Sequence, residues 1–238
     1  MYVHSLLTDD QLQILLKAPL FRNISLNELV NLLPCLRIKL KNYKEDELIL
    51  TQGLKVNFIY IVLDGKVEIS KENFSGQKNI ISILSASRLF GEGVVCTSNR
   101  QSPVLATALT PVTLLLIPYE RVIGGCEHSC SFHHELIYNM MLLLGEKNYQ
   151  LNTKMDLLLL KGMREKLATY LLLESSNQNS TSFTISLNRN QLADYLNVSR
   201  PSMCRELGRM KDDGLIDYYQ NSFKLLDLDK LHKALATS

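Results

Sequence analysis

Hydrophobic positions near the N-terminus are spaced as in helices, and from about residue 37 they gather in short β-branched runs. Two helices are predicted to begin at capping boxes, in which Thr8 pairs with Gln11 and Ser25 pairs with Glu28. Turn residues separate the runs, which predicts an antiparallel barrel or sandwich over residues 37–117. The runs cover residues 47–50, 58–63, 67–70, 79–84, 104–109 and 112–117.

A turn between the second and third runs is the strongest local pattern in this region. It is the dipeptide formed by Asp64 and Gly65, with apolar positions on both sides. This dipeptide favours tight two-residue turns, so it predicts a β-hairpin between the two runs.

Residues 190–207 have the pattern of two short helices joined by a tight turn. Leu192 and Leu196 give the first helix an apolar face, and Asn197 suits a left-handed turn position. Ser199 is the predicted cap of the second helix, and Pro201 is tolerated in its first turn. The inward positions of that helix are Met203, Leu207 and Met210, and the solvent positions are Arg200, Ser202, Arg205 and Arg209. This pattern predicts a helix-turn-helix with a basic DNA-recognition face.

A two-stranded hairpin is predicted directly after the second helix. Residues 215–219 and 223–226 form the two strands around a polar turn that contains Asn221, and residues 183–186 supply a partner strand. A hairpin in this place makes the unit a winged helix, whose wing lies along the phosphate backbone of DNA.

A long helix is predicted over residues 131–160, followed by a domain hinge at residues 160–162. Its seam positions recur with alternating spacings of 4 and 3 residues, which is a heptad pattern, and one of the seven is polar. They are Ile137, Met141, Leu144, Asn148, Leu151, Met155 and Leu158. The helix either packs on its own barrel or forms a parallel dimeric coiled coil. We favour the dimer, with Asn148 setting the register, because a single short recognition helix needs a two-fold partner. We therefore expect domains at residues 1–130 and 161–238, joined by a dimerisation helix at residues 131–160.

Composition fits a regulator better than an enzyme. The chain has 238 residues, 46% of them hydrophobic, and a net charge of +2, so affinity for DNA must come from local clusters of basic residues. Five cysteines at scattered spacings indicate a reducing compartment. We find neither a signal peptide nor a membrane-spanning run, and expect a soluble cytoplasmic protein. The phosphate-binding loop, the nucleophile elbow and the kinase catalytic loop are also absent from the sequence, so we expect no enzymatic activity.

In this order, a barrel, a long dimer helix and a winged helix resemble the Crp/Fnr family of bacterial transcription regulators. The resemblance rests on Gly65, on residues 89–92 and on residues 198–207, and the last segment closely resembles the reader helix of anaerobic Firmicute-type members. It implies an α+β fold with a cyclic-nucleotide-binding-like β-roll (a double-stranded β-helix). It further implies a homodimer on a palindromic double-stranded operator, with RNA polymerase as a further candidate partner.

The resemblance also implies roles for residues of the second helix. Arg200 and Arg205 match family positions that contact phosphates and bases, and Arg205 is the expected guanine reader. Its planar fork fits guanine O6 and N7. A family glutamate that reads bases falls at Pro201, whose side chain neither donates nor accepts, and Ser202 beside it is the candidate substitute. The expected DNA-binding set is Ser199, Arg200, Pro201, Ser202, Arg205 and Arg209.

The effector is not identified by the residues. Cyclic-nucleotide-binding relatives grip the phosphate with a Gly-Glu pair followed by Arg-Ser or Arg-Thr. Gly91 and Glu92 are present, but the Arg-Ser positions hold Ser102 and a proline, and Arg100 fits only if the loop is two residues shorter. A buried phosphate without a cation is costly. We therefore expect a small or apolar organic effector near Gly91, Glu92, Arg100, Ser102 and Asn148.

Other sensing mechanisms remain as alternatives. Cys126, His128, Cys130, His133 and His134 form a cluster of metal-ligand types at the start of the long helix, but the spacing lacks a Cys-x-x-Cys knuckle, so polar helix-capping residues and buried thiols are favoured. A family-type iron–sulfur cluster is not expected, because the cysteines that bind it are absent from the N-terminus. Thiol redox sensing through Cys96 or Cys126, and a ligand-binding signalling module without DNA binding, are the alternative functions.

Overall fold

The structure, a computed structural model, describes residues 6–72, 78–124 and 131–233. Its contacts divide the chain into two compact units, residues 1–147 and residues 148–238, and the boundary falls inside a single long helix. No helix in the described ranges has both the length and the apolar character needed to cross a membrane.

In its described residues, the first unit has a small helical segment, eight strands and the start of the long helix. Its helices are α1 (Asp9–Leu16), α2 (Leu26–Leu36), α3 (Glu92–Val95), α4 (Tyr119–Ile123) and the first part of α5 (Ser131–Leu159). Its strands are β1 (Lys39–Tyr43), β2 (Leu48–Leu50), β3 (Phe58–Asp64), β4 (Val67–Glu72), β5 (Lys78–Leu84), β6 (Leu89–Phe90), β7 (Leu105–Ala108) and β8 (Val112–Pro118). Both predicted capping boxes are present, at the starts of α1 and α2.

The strands form two four-stranded antiparallel sheets, which confirms the predicted β-roll. One has the order β1-β8-β3-β6 and the other the order β2-β7-β4-β5. Two strands were missing from the prediction. The strand β1 was not recognised because it is polar, with two lysines and an asparagine in five residues, and β6 was not recognised because it has two residues.

The predicted hairpin at Asp64 and Gly65 is wrong. The strand before the turn, β3, pairs with β6 and β8, whereas the strand after it, β4, pairs with β5 and β7. The turn therefore carries the chain from one sheet to the other. Gly65 has φ +84°, and a Cβ there would lie 2.2 Å from the carbonyl oxygen of Pro111, so both the conformation and the space require glycine.

The core of this unit joins the two sheets to the helices. Leu136, Met140 and Leu143 of α5 are buried with the strand residues. Asn139, also buried, donates hydrogen bonds from Nδ2 to the carbonyl oxygens of Leu20 (3.2 Å) and Arg22 (2.7 Å). Since a buried amide needs such partners, these bonds tie the first half of α5 to the N-terminal helical segment.

The second unit is a winged helix, as predicted. It contains the end of α5, then α6 (Met163–Asn177), β9 (Ser182–Thr184), α7 (Arg189–Leu196), α8 (Arg200–Asp212), β10 (Ile216–Tyr219), β11 (Ser222–Leu225) and α9 (Leu228–Lys233). The three strands form one antiparallel sheet in the order β10-β11-β9. Leu157, Leu171, Leu196, Leu207 and Phe223 contribute to its separate core.

Candidate DNA-binding surface and ligand cavity

The turn between α7 and α8 has the geometry that the sequence predicts. Asn197 ends α7 in the left-handed conformation (φ 52°, ψ 54°), which an asparagine tolerates better than most residues. Ser199 caps α8, and its hydroxyl oxygen accepts a hydrogen bond from the backbone N–H of Ser202. Pro201 lies in the first helical turn, where its missing N–H costs no hydrogen bond.

One face of α8 is packed and the opposite face is open to solvent. Met203, Leu207 and Met210 are buried at 1% exposure or less, and they hold the helix on the core. Arg200 and Arg205 are exposed. The helix can therefore enter a groove of DNA with both guanidinium groups forward, without disturbing its packing.

The hydroxyl of Ser202 holds the Arg205 side chain in place. Arg205 Nη2 donates to Ser202 Oγ at 3.1 Å, and Ser202 Oγ lies 2.8 Å from Ser199 Oγ, from which it accepts. This chain of three side chains restrains the guanidinium before any contact with DNA. A restrained fork is what bidentate readout of one base needs.

The acidic residue in the middle of α8, Glu206, does not weaken the basic face. Glu206 is buried, and its carboxylate accepts from Arg164 Nε of α6 at 2.6 Å and from Arg209 Nη1 at 3.2 Å. Arg164 also pairs with Asp213 at 2.7 Å, and the two carboxylates raise the pKa of Arg164. The network fixes α8 to α6. Although Arg209 is exposed, its guanidinium is hydrogen-bonded to Glu206 of the same helix.

The wing is fixed to the start of α7 by an arginine that sequence reasoning missed. Arg189 Nη2 donates to the carbonyl oxygen of Gln220 at 2.7 Å, at the tip of the β10–β11 turn. Its guanidinium lies over the rings of Tyr218 and Phe223, 5.2 and 4.8 Å from their centres, and burial lowers the pKa of Arg189. The sequence offered one indication of this role, since Arg189 is a basic residue directly after Asn188, the N-cap of α7.

A polar cleft of about 640 Å³ lies between the helix starts and the wing turn. Arg200 contributes the exposed positive charge, and Asn190 and Asn221 add amide groups. Arginine and amide N–H groups are typical donors to phosphate oxygens. The cleft can therefore receive the backbone of a nucleic acid beside the recognition helix.

A second cavity, of about 560 Å³, lies in the first unit beside α3. Most of its wall is apolar, with Leu84, Phe90 and Val104 among the lining residues. Gly91 and Glu92, both predicted effector contacts, line it as well. Gly91 needs its glycine, since it has φ +86° and a Cβ would lie 2.9 Å from the carbonyl oxygen of Phe58.

An ion pair inside this cavity was not predicted. Lys147 of α5 donates to Glu92 Oε1, and the Glu92 side chain is 4% exposed. Lys147 is adjacent to the predicted contact Asn148, and Asn148 is not among the cavity residues. Lys147, one residue before the predicted Asn148, thus supplies the polar group of α5 at this cavity.

Two other predicted effector residues lie outside the cavity wall. The Arg100 guanidinium pairs with Glu120 at 3.3 Å and lies 4.9 Å from the centre of the Tyr119 ring. The Ser102 hydroxyl is buried and donates to the carbonyl oxygen of Val104 at 2.7 Å. Both groups are occupied by partners within the protein, so neither is arranged as the phosphate grip of the Arg-Ser pattern.

Comparisons with known proteins give matches for both parts of the chain. Residues 40–129 match the cyclic nucleotide-binding domain family, and residues 165–234 match the Crp-like helix-turn-helix domain family. A global nitrogen regulator of Nostoc sp. is 23% identical over 188 residues, which are 76% of this chain and 82% of the relative. The cyclic AMP receptor protein of Thermus thermophilus is 24% identical over 199 residues, 84% of this chain and 88% of the relative. The chain is a DNA-binding transcription regulator of the Crp/Fnr type.

Solved structures show the same fold. The catabolite activator protein of Thermus thermophilus superposes with a TM-score of 0.53 at 22% identity, over 92% of this chain and 99% of that chain. A mutant of CooA from Carboxydothermus hydrogenoformans gives a TM-score of 0.53 at 21% identity, over 95% of this chain and 96% of that chain.

The predicted dimer seam of this Crp/Fnr regulator lies along an exposed stripe of α5. Met141, Leu151 and Met155 are 68, 67 and 54% exposed, and Leu144 is partly buried. At the two ends of the seam, Ile137 is partly buried and Leu158 is 37% exposed. In the middle, Asn148 Oδ1 accepts a hydrogen bond from Asn152 Nδ2 at 3.3 Å. Exposed apolar side chains in such a row are typical of a surface that another protein chain contacts.

The predicted metal-type cluster is only partly visible. Cys126, His128 and Cys130 lie outside the described residues. His133 is buried, and its Nε2 lies 3.0 Å from the carbonyl oxygen of Arg121. Within the described ranges no group of three metal-ligand residues comes together.

Proposed function

We propose that this Crp/Fnr regulator works as a homodimer on a palindromic operator, in the cytoplasm. The observation that carries the proposal is the stripe of Met141, Leu151 and Met155, each more than half exposed at heptad spacing on α5. Two copies joined along this seam would present two recognition helices, as two-fold DNA readers do. Domains at residues 1–130 and 161–238, linked by the helix at residues 131–160, are part of this proposal.

Arg205 is the proposed guanine reader, and Arg200 is the proposed phosphate contact beside the wing cleft. Arg205 is exposed and restrained by Ser202, and Arg200 lines the cleft with Asn190. Pro201 offers no hydrogen-bonding side chain at the position where the family has a glutamate. We expect the operator to differ from the standard family operator at that base pair.

The regulator is proposed to respond to a small molecule other than a cyclic nucleotide. The cavity beside α3 supports an effector site, and the engagement of Arg100 and Ser102 elsewhere argues against a phosphate grip. The likeness of residues 198–207 to anaerobic Firmicute-type members supports placing the protein in that subgroup. RNA polymerase is a further proposed partner.

A selection of genomic fragments with the purified protein, at moderate salt, tests this function. We expect enrichment of a palindrome whose half-sites are about one helical turn apart, with centres about 34–36 Å from each other. Sedimentation of the same sample should give a dimer. Enrichment of a single unrepeated half-site by a monomer would overturn the proposal. A second outcome would also overturn the proposal. In it, the protein binds DNA weakly without enriching any palindrome, even when the selection is repeated in the presence of extracted cellular metabolites.

A further inference from the structure

The turn of the wing holds a glutamine in a conformation that favours glycine. Gln220 directly follows β10 and has φ +50°, in the left-handed region. Hairpin turns of two residues usually have glycine or asparagine at such positions, because a longer side chain is crowded by the backbone there. The turn therefore depends on contacts made from outside the hairpin.

Two hydrogen bonds from outside the hairpin hold the carbonyl groups of this turn. Arg189 Nη2, at the start of α7, donates to the carbonyl oxygen of Gln220 at 2.7 Å. The backbone N–H of Ile185 donates to the carbonyl oxygen of Asn221 at 3.0 Å. The second bond is made by the backbone, whereas the first is made by a side chain. Replacement of Arg189 would therefore release one of the two bonds at the turn.

The Arg189 guanidinium is directed at the wing and is withdrawn from solvent. It lies over the rings of Tyr218 and Phe223, 5.2 and 4.8 Å from their centres. Its Nη2 is bonded to Gln220, and its Nη1 is buried without a hydrogen-bond partner among the described residues. A guanidinium in this arrangement stabilises the wing through its rings and its turn, and it does not present its terminal nitrogens to a phosphate.

The turn that Arg189 holds forms part of the wall of the polar cleft. Tyr219 and Asn221, which flank Gln220 in the chain, line this cleft together with Arg200 of α8. Tyr219 is also 78% exposed. Their phenol hydroxyl and side-chain amide are donors that suit phosphate oxygens. Because both residues adjoin Gln220, the conformation of the turn decides where these donors point.

We infer that Arg189 is a positioning residue for DNA binding. It sets the wing turn, and through the turn it places the Tyr219 and Asn221 side chains against the DNA backbone, without touching DNA itself. The inference rests on the proposed use of the cleft by the DNA backbone. It goes beyond that proposal because it assigns a role to a residue that lies behind the contact surface.

A double-mutant cycle on the full-length protein tests the inference. The probe is a duplex of fixed mixed sequence, about 40 base pairs long, at low salt, where non-specific binding is measured without an operator. We expect Arg189→Met to bind it at least about fivefold more weakly than the wild type, a difference equivalent to about 1 kcal/mol. In a protein that already carries Tyr219→Ala and Asn221→Ala, the same replacement should change the affinity by less than about twofold.

Arg200→Met is the matched control for this cycle. Arg200 lines the same cleft, but it lies on α8 and not on the wing. Its replacement should weaken binding by the same factor with and without the two wing replacements, since separate contacts are additive. Hydrogen exchange of the Ile185 amide, which is bonded to Asn221, should be faster in Arg189→Met and unchanged in Arg200→Met.

Arg189→Lys separates the geometry of this side chain from its charge. Lysine keeps the positive charge, but it lacks the planar fork that lies over two rings and donates to Gln220. We expect its affinity for the duplex to fall at least about threefold, because an arginine in a stacked site is not replaced by a lysine. Circular dichroism checks that each variant is folded, and Arg189→Lys carries the test if Arg189→Met does not fold.

Several results would overturn the inference. Wild-type affinity in Arg189→Lys, or an equal loss from Arg189→Met with and without the wing replacements, would mean that Arg189 acts on DNA through its own charge. Unchanged exchange at Ile185 would mean that it does not hold the turn. If neither Arg200→Met nor the wing replacements weaken binding, the cleft is not a DNA site, and the proposed phosphate contact fails together with the inference.

Discussion

The proposed base readout by this regulator uses a guanidinium that is restrained before DNA arrives. Arg205 is exposed on α8, and its Nη2 donates to Ser202 Oγ. We expect Arg205→Ala to lose about 1–3 kcal/mol of discrimination at one base pair of each half-site, because a bidentate contact to guanine is removed. Competition binding with operators mutated at single positions measures this loss.

Arg209→Ala is the matched control for that experiment. Arg209 lies on the same helix and carries the same charge, but its guanidinium is bonded to Glu206. We expect the control to change affinity with little effect on base preference. Unchanged discrimination in Arg205→Ala would contradict the assignment of Arg205 as base reader.

Ser202 is expected to act on specificity through Arg205. Ser202→Ala removes the hydroxyl that restrains the guanidinium, while the N-cap hydroxyl of Ser199 and the helix itself remain. We predict that the variant keeps its phosphate-dependent affinity and loses part of the discrimination at the Arg205 base pair. The same competition assay gives the answer. A larger loss at a different base pair would mean that Ser202 reads a base directly.

The Arg164 network is expected to matter for stability. Arg164→Met removes one partner of the buried Glu206 carboxylate and leaves it the hydrogen bond from Arg209. We predict a loss of about 1–3 kcal/mol in the free energy of unfolding of the second unit, since charged hydrogen bonds to a buried group are of that size. Scanning calorimetry should show its transition lowered by about 4–8 °C for each kcal/mol lost.

Lys211→Ala is the control for Arg164→Met. Lys211 pairs with Asp217 at 2.7 Å, and both side chains are about half exposed, so solvent screens this pair. Its removal should lower the transition far less. Equal effects in the two variants would show that burial of Glu206 does not decide the stability of the network.

Residue roles that depend on neighbours in sequence were predictable, and those that depend on distant partners were not. Asn197 and Ser199 act on the backbone within three residues, so their roles follow from local patterns. Arg189 and Lys147 acquire their roles from Gln220 and Glu92, which are 31 and 55 positions away. No periodicity in a single sequence encodes such a pairing.

At the scale of elements, the composition of each run decided what the sequence could predict. The strands with apolar runs were recognised, including the exposed strand β5, whereas β1, which has two lysines and an asparagine in five residues, was not. The connection at Gly65 shows a different limit. A tight turn predicts a change of direction, but whether the next strand joins the same sheet depends on the packing of the other strands, here β6 and β8 against β3.

The heptad seam of α5 carries the element-scale prediction. Asn148→Leu replaces the polar residue of the seam by an apolar one. We expect the variant dimer to be more stable than the wild type, so that it dissociates only at lower protein concentration, and we expect other oligomers to form beside it. The reason is that a seam asparagine lowers the stability of a coiled coil and specifies two strands. Sedimentation equilibrium over a range of concentrations measures both effects. A wild-type monomer at micromolar concentration would contradict the seam itself.

For the whole molecule, dimerisation and DNA binding should be linked through the salt dependence of affinity. A dimer on a palindrome makes its phosphate contacts twice, so the slope of log affinity against log salt should be about twice that for a single half-site. Leu151→Glu places a charge in the exposed seam and should abolish this difference, while single half-sites are still bound. Titrations at several salt concentrations measure the slopes. Leu228→Glu, an exposed leucine of α9, is the charge-matched control. If Leu151→Glu keeps the doubled slope, the two recognition helices are joined by a surface other than α5.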